Sequence, residues 1–156
     1  MLARILVVVL LGVSLVSCST QNQDPISALE KMTFEKQLEF FPEVSFDDLK
    51  DKIAMGVTVV DVNHPKTFQT GHIPTAQNFT MNAKNLSEIL PSDKTAEIVT
   101  YCGSPTCTAW LTGAKEIHKL GYENVTHFHG GLAGWVQAGG ELENGEQQGT
   151  EHQEHS

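Results

Sequence analysis

Two short runs of mostly β-branched residues, without regular polar alternation, set the strongest limit on how this chain folds. Val57 to Val62 is bounded by Gly56 and Asn63, and a second such run spans Glu97 to Tyr101. Strands that read apolar on both faces belong to parallel sheets covered by helices. Stretches of helical period accompany them. Ser45 followed three residues later by Asp48 marks a helix N-terminus with acidic residues in its first turn, and Phe46, Leu49 and Ile53 give it an apolar face. Between Thr108 and Leu120 the apolar residues Leu111, Ala114, Ile117 and Leu120 recur at helical spacing, until Gly121 ends the helix. Asn124 to Phe128 makes another strand. This alternation predicts an α/β fold with a mostly parallel central sheet and helices on both faces. In such folds ligands meet the chain where strands end and helices begin.

The N-terminus has a different character. Arg4 precedes an uninterrupted apolar and small-residue run from Ile5 to Val16. That run is short for a span, which wants roughly 20 apolar residues. Leu15-Val16-Ser17-Cys18 resembles the lipobox of bacterial lipoproteins. Residues 1–17 would then be a signal peptide and Cys18 the acylated first mature residue. The alternative is an ordinary secretory leader cleaved elsewhere. More than one acyl chain, each buried methylene contributing about 0.8 kcal/mol, anchors a protein permanently in the membrane. Ser19 after the cysteine resembles an outer-membrane address, which implies a lipid-anchored protein of the bacterial cell envelope facing the periplasm.

Residues 18–40 read as a tether and an N-terminal helix from about Ile26 to Gln37, and residues 41–140 as the folded domain. Residues 141–156 hold neither Lys nor Arg, no aromatic residue, and Leu142 as their one large apolar residue, so a disordered acidic tail is expected there. The formal net charge is -9, and becomes -10 once the leader leaves with Arg4, the sole arginine. Nucleic acid and acidic surfaces are therefore excluded as partners. Export also bears on Cys102 and Cys107, because free thiols in an oxidising envelope need an explanation.

Cys102 directly follows the strand Glu97 to Tyr101 and Thr108 opens the next helix, so residues 102–107 form the strand-to-helix loop. A tight loop running into a helix N-terminus points backbone N–H groups inward and stabilises an anion at its centre. The amides of Gly103, Ser104, Thr106 and Cys107 would form this cradle, Pro105 having no N–H. A thiol placed there loses its proton more readily than the free residue, whose pKa is about 8.5.

Here the sequence resembles a known family. Val59-Val60-Asp61-Val62, Gly71-His72-Ile73-Pro74-Thr75-Ala76-Gln77-Asn78, Ile98-Val99-Thr100-Tyr101-Cys102, Leu120-Gly121-Tyr122-Glu123-Asn124-Val125 and Gly130-Gly131-Leu132-Ala133-Gly134-Trp135 are similar, in order, to the motifs of a single rhodanese domain. The resemblance implies a rhodanese-like fold and a sulfurtransferase. Cys102 would take a sulfane sulfur from a small donor, hold it as a persulfide and pass it to a thiol acceptor. No cofactor is expected, and no protein partner is named by the resemblance. The six-residue loop resembles that of sulfurtransferases, whereas related phosphatases use a longer one.

The family often carries an arginine at the end of the loop, where this chain has Cys107, and another after the first Asp-Val pair, where it has Asn63. A hydrogen bond to a charged group contributes about 1.5 to 3 kcal/mol, so a dianion such as thiosulfate should bind weakly and persulfides or polysulfides be better donors. Cys107 itself reads in three ways: a resolving or redox partner for Cys102, one half of a static disulfide, or a quiet thiol. A non-enzymatic binding, redox or metal-sensing module on the same scaffold is the alternative function. His127 and His129 alternate along a strand and share a face, either as metal ligands beside the cysteines or as partly solvated strand-end histidines. His72 is expected to make a structural hydrogen bond, Trp135 to pack in the core, and Asp61 to bond local backbone amides. Trp110 belongs either to the core or to the pocket mouth.

Overall fold

A computed structural model describes residues 25–144 of the chain. The predicted leader, Cys18 and the tail beyond Asn144 lie outside the described residues. The helices are α1 (Pro25–Glu30), α2 (Phe34–Phe40), α3 (Phe46–Ala54), α4 (Pro65–Thr70), α5 (Trp110–Lys119) and α6 (Gly131–Gln137). The strands are β1 (Thr58–Asp61), β2 (Gln77–Asn78), β3 (Ile98–Tyr101) and β4 (Val125–Phe128). They form one parallel sheet in the order β2-β1-β3-β4, so every described strand ends on the same side.

Alternation along the strands sends side chains to two cores. Val60, Ile98 and Val125 join Trp110, Ala114 and Ile117 of α5 on one face. Val59, Val99, Tyr101 and Phe128 meet Leu49 of α3, Phe68 of α4 and Trp135 of α6 on the other. Burial of each such side chain contributes about 1.5 to 3 kcal/mol. The Ser45 side chain accepts the Asp48 N–H at 3.1 Å, the cap expected for α3. Gly121, at φ +90°, ends α5 where an L side chain would be strained. No helix among the described residues is long and apolar enough to cross a membrane.

Two expectations about the flanks are corrected. The single helix over Ile26 to Gln37 is instead the pair α1 and α2, broken where Thr33 caps α2 by accepting from the Lys36 N–H. Gln37 turns inward and donates to the carbonyls of Leu29 at 3.2 Å and Met32 at 2.9 Å, closing the end of α1. Leu29 and Phe41, each 1% exposed, lie in the α5-side core, so the segment from residue 25 onward packs on the domain. Residues 42–44 then pair with the β4 edge, the His127 N–H donating to Pro42 O and the Val44 N–H to His127 O.

At the other end, residues 141–143 belong to the fold. The His72 N–H donates to Glu143 O and the Glu143 N–H to His72 O, both at 2.9 Å. Glu143 Oε2 also accepts the Thr75 N–H at 2.9 Å, and Glu141 O accepts from Trp135 Nε1 at 2.9 Å. Backbone pairing, which composition does not report, overrides the polar character of this strap.

Candidate active site

Cys102 leaves the end of β3 on the α5 side and is 1% exposed, in the same apolar cluster as Trp110 and Ala114. Cys107, half-buried, packs against that cluster from the far end of the loop. The two are joined as a disulfide with Cα atoms 6.3 Å apart, inside the range of about 7 Å that bridging requires. The sequence left the redox state of the two cysteines open; in this state the Cys102 sulfur is covered and paired. Cys107 is not a quiet thiol.

The pairing reshapes the loop. The Cys107 carbonyl oxygen lies 3.1 Å from Cys102 Sγ, and the Cys107 N–H donates to Ser104 O at 3.0 Å. Cys107 therefore turns a carbonyl, not an amide, toward the sulfur, and the assignment of its amide to the cradle is corrected for this state. The amides of Gly103, Ser104 and Thr106 donate to no acceptor among the described residues. The Ser104 and Thr106 hydroxyls stand 3.2 Å apart at the loop's outer rim.

Helix α6 clamps this loop from outside. Its first amides, which lack partners within the helix, donate from Leu132 to Cys102 O at 2.8 Å and from Ala133 to Gly103 O at 3.0 Å. Gly131 sits between, at φ +59°, where a Cβ would lie 2.5 Å from Cys102 O and 2.7 Å from Ser104 N. Sequence reasoning missed this role of Leu132 and Ala133. The Gly130-Gly131 doublet ahead of a helix start was the available signal, since it marks close backbone approach beside free N–H groups.

Beneath the loop Asp61 is buried and accepts the Tyr101 hydroxyl at 2.5 Å and the Asn63 N–H at 2.6 Å. Burial raises its carboxyl above the ordinary value, opposed by the bonds to Tyr101 and Asn63. Tyr101 Oη accepts the Ile73 N–H at 3.0 Å, so the Gly-His-Ile-Pro segment is tied to β1 and β3. Asp61 thus has the structural part expected of it. His72 does too, its Nδ1 lying 2.9 Å from Phe68 O with the ring stacked on Phe68.

The two histidines differ in burial. His127 is 1% exposed and stacks on Trp110 with ring centroids 3.7 Å apart, while His129 is exposed. The expectation that both are partly solvated is corrected, because α5 and the Phe41 segment cover His127. Burial holds the His127 pKa below its usual value. Among the described residues no group of three His, Cys, Asp or Glu side chains could hold a metal ion. Trp110 and Trp135 are both core residues, 1% and 4% exposed.

Residues 45–138 match the family model described as a rhodanese-like domain. This chain belongs to the rhodanese-like family. No curated protein matches it significantly. Among solved structures, the rhodanese-like domain is similar to a protein of Bacillus halodurans, with 28% identity, a TM-score of 0.59, and 78% of this chain and 88% of that one covered. It shares its fold with the thiosulfate sulfurtransferase of Pseudomonas aeruginosa, with 20% identity, a TM-score of 0.57, and 69% of this chain but 21% of that one covered. It also shares it with the polysulfide-sulfur transferase of Wolinella succinogenes, with 15% identity, a TM-score of 0.58, and 83% and 96% covered.

In this rhodanese-like domain no guanidinium serves the loop. Asn63 abuts Gly103 instead, its Oδ1 3.2 Å from where a Gly103 Cβ would stand, and its Nδ2 is buried without a partner among the described residues. Elsewhere a groove of about 490 Å³ is lined by residues that include His64, Lys66, Thr67, Thr70, Leu132 and Leu142. Lys66 is the one full cation along it.

Proposed function

We propose that this protein moves sulfane sulfur through a persulfide on Cys102, acting on persulfides or polysulfides more readily than on thiosulfate. The observation that carries the reading is the placement of Cys102 at the head of a strand-to-helix loop. That loop keeps the amides of Gly103, Ser104 and Thr106 free of other acceptors and is clamped by α6. Reduction of the Cys102–Cys107 bond releases the thiol, and the free amides then favour its anion. A small sulfane donor and a thiol acceptor are the substrates. The absence of arginine beyond Arg4 sets the donor preference, since a dianion finds no guanidinium in the domain to pair with.

The test is mass spectrometry of the reduced protein after incubation with a sulfane donor. One added sulfur that is missing in Cys102→Ser supports the reading, and none in the reduced wild type overturns it. Steady-state rates with thiosulfate and polysulfide on one preparation decide the donor, robust thiosulfate turnover going against us. We also propose lipid attachment at Cys18 and an envelope location. Labelling with a fatty-acid probe, lost in Cys18→Ala, is the expected result.

One observation favours a second reading, a non-enzymatic binding module on the same scaffold whose two cysteines are paired and carry no sulfane sulfur: Cys102 is covered and already bonded to Cys107. A native disulfide that survives mild reductants would support it, and sulfur loading of the reduced protein at Cys102 would exclude it.

A further inference from the structure

We propose that Cys107 ends each turnover inside the site by expelling the carried sulfur as sulfide, and that a dithiol reductant resets the protein by attacking Cys107. This rests on the reading of Cys102 as sulfur carrier and specifies the fate of the sulfur. The loop already brings the two sulfurs into contact, with Cα atoms 6.3 Å apart across five residues. A persulfide on Cys102 therefore holds its inner sulfur beside Cys107, within reach of attack and without any further partner.

The chemistry balances without an outside oxidant. In loading, the Cys102 thiolate takes the outer sulfur of a donor persulfide, whose own thiolate leaves. The Cys107 sulfur then attacks Cys102 Sγ, forming the Cys102–Cys107 bond and breaking the bond to the outer sulfur. That sulfur departs with both bonding electrons as hydrosulfide and takes the Cys107 proton. The carried sulfur is reduced and the two cysteines are oxidised. A dithiol, as two-electron donor, returns them to thiols and becomes a disulfide itself.

Exposure sets the point of entry. Cys102 is covered by the α5-side core, whereas Cys107 is half-buried at the loop's outer end. An incoming thiolate meets Cys107 and displaces Cys102 as the leaving thiolate. The reductant's second thiol resolves the mixed disulfide. The net reaction converts a persulfide and a dithiol into a thiol, sulfide and a disulfide.

Reduced protein, freed of reductant, is mixed with one equivalent of cysteine persulfide, and sulfide and protein mass are followed. The wild type is expected to release about one equivalent of sulfide and lose two thiols, while Cys107→Ser keeps the added sulfur and releases none. Cys107→Ala serves as a second variant should serine disturb the loop. A wild type that retains its persulfide as the variants do overturns the proposal but leaves sulfur loading intact. If no protein takes up sulfur, the carrier reading falls with it. In a second arm, oxidised wild type is mixed with a dithiol protein reductant lacking its resolving cysteine. A trapped adduct mapped to Cys107 supports the direction of attack, and one mapped to Cys102 overturns it.

Discussion

A methyl group at position 131 has no room: it would press on Cys102 O and Ser104 N, both backbone atoms that cannot swing aside, and would force an L side chain to hold φ +59°. Gly131→Ala is expected to cost about 2 to 4 kcal/mol by urea denaturation, combining steric overlap with the left-handed backbone penalty. Sulfur loading of Cys102 should fall with it, because the clamp on the loop is displaced. Gly121→Ala makes the control, since its site is open at φ +90° and only the backbone penalty of about 1 kcal/mol applies. The position of Cys102 was legible in the sequence, because a buried strand is followed by a helical period, although the turn between them runs to Ala109 and not to Cys107, since α5 starts at Trp110 and not at Thr108. Whether its sulfur stands free was not. That depends on the path of the loop, where the Cys107 N–H bonds Ser104 O, and no periodicity encodes such a turn. His127 shows the same limit. Alternation put it on a face with His129, but its burial depends on Trp110 and Phe41, both distant along the chain.

Among the elements, β1 and β3 are joined by more than their ladder, because the Tyr101 hydroxyl links Asp61 of β1 to the Ile73 amide. Asp61 has a carboxyl pKa raised by burial, so its contribution to stability is fullest below the unfolded value and declines as pH rises through the folded one. The Tyr101 bond lowers that folded value, and removing it deepens the decline. Tyr101→Phe should therefore cost about 1 to 3 kcal/mol at neutral pH, and visibly less near about pH 4, in denaturation curves taken across that range. The terminal strap invites a shorter test. Ending the chain at Gly140 removes the His72–Glu143 pair and the acceptor of Trp135 Nε1, and should lower stability by about 2 to 4 kcal/mol, whereas ending it at Asn144 keeps both. Strands β1, β3 and β4 and helices α3 and α5 were readable because each carries a full period of apolar residues. Strand β2 was not, being two residues whose strand character comes from pairing Val60 with Gln77 and Asp61 with Asn78. The break between α1 and α2 escaped for a related reason: Gln37 looks polar in sequence, yet it is the inward residue that closes α1.

At the scale of the molecule, a formal charge of -9 opposes every anionic donor that approaches the loop. Added salt screens that field, so kcat/KM for thiosulfate or polysulfide should rise with ionic strength at constant pH. A fall would mean that local attraction at Lys66 outweighs the charge of the whole. The covered seat of Cys102 has a consequence for survival as well as for reactivity. Peroxide drives an accessible thiolate past the sulfenic stage to sulfinic and sulfonic acids, which ordinary thiols cannot repair. A sulfur that idles under the α5 core, bonded to its neighbour, has already stopped at a reversible rung. The two cysteines can thus sit through an oxidative burst without passing the disulfide stage and be returned to thiols with two electrons.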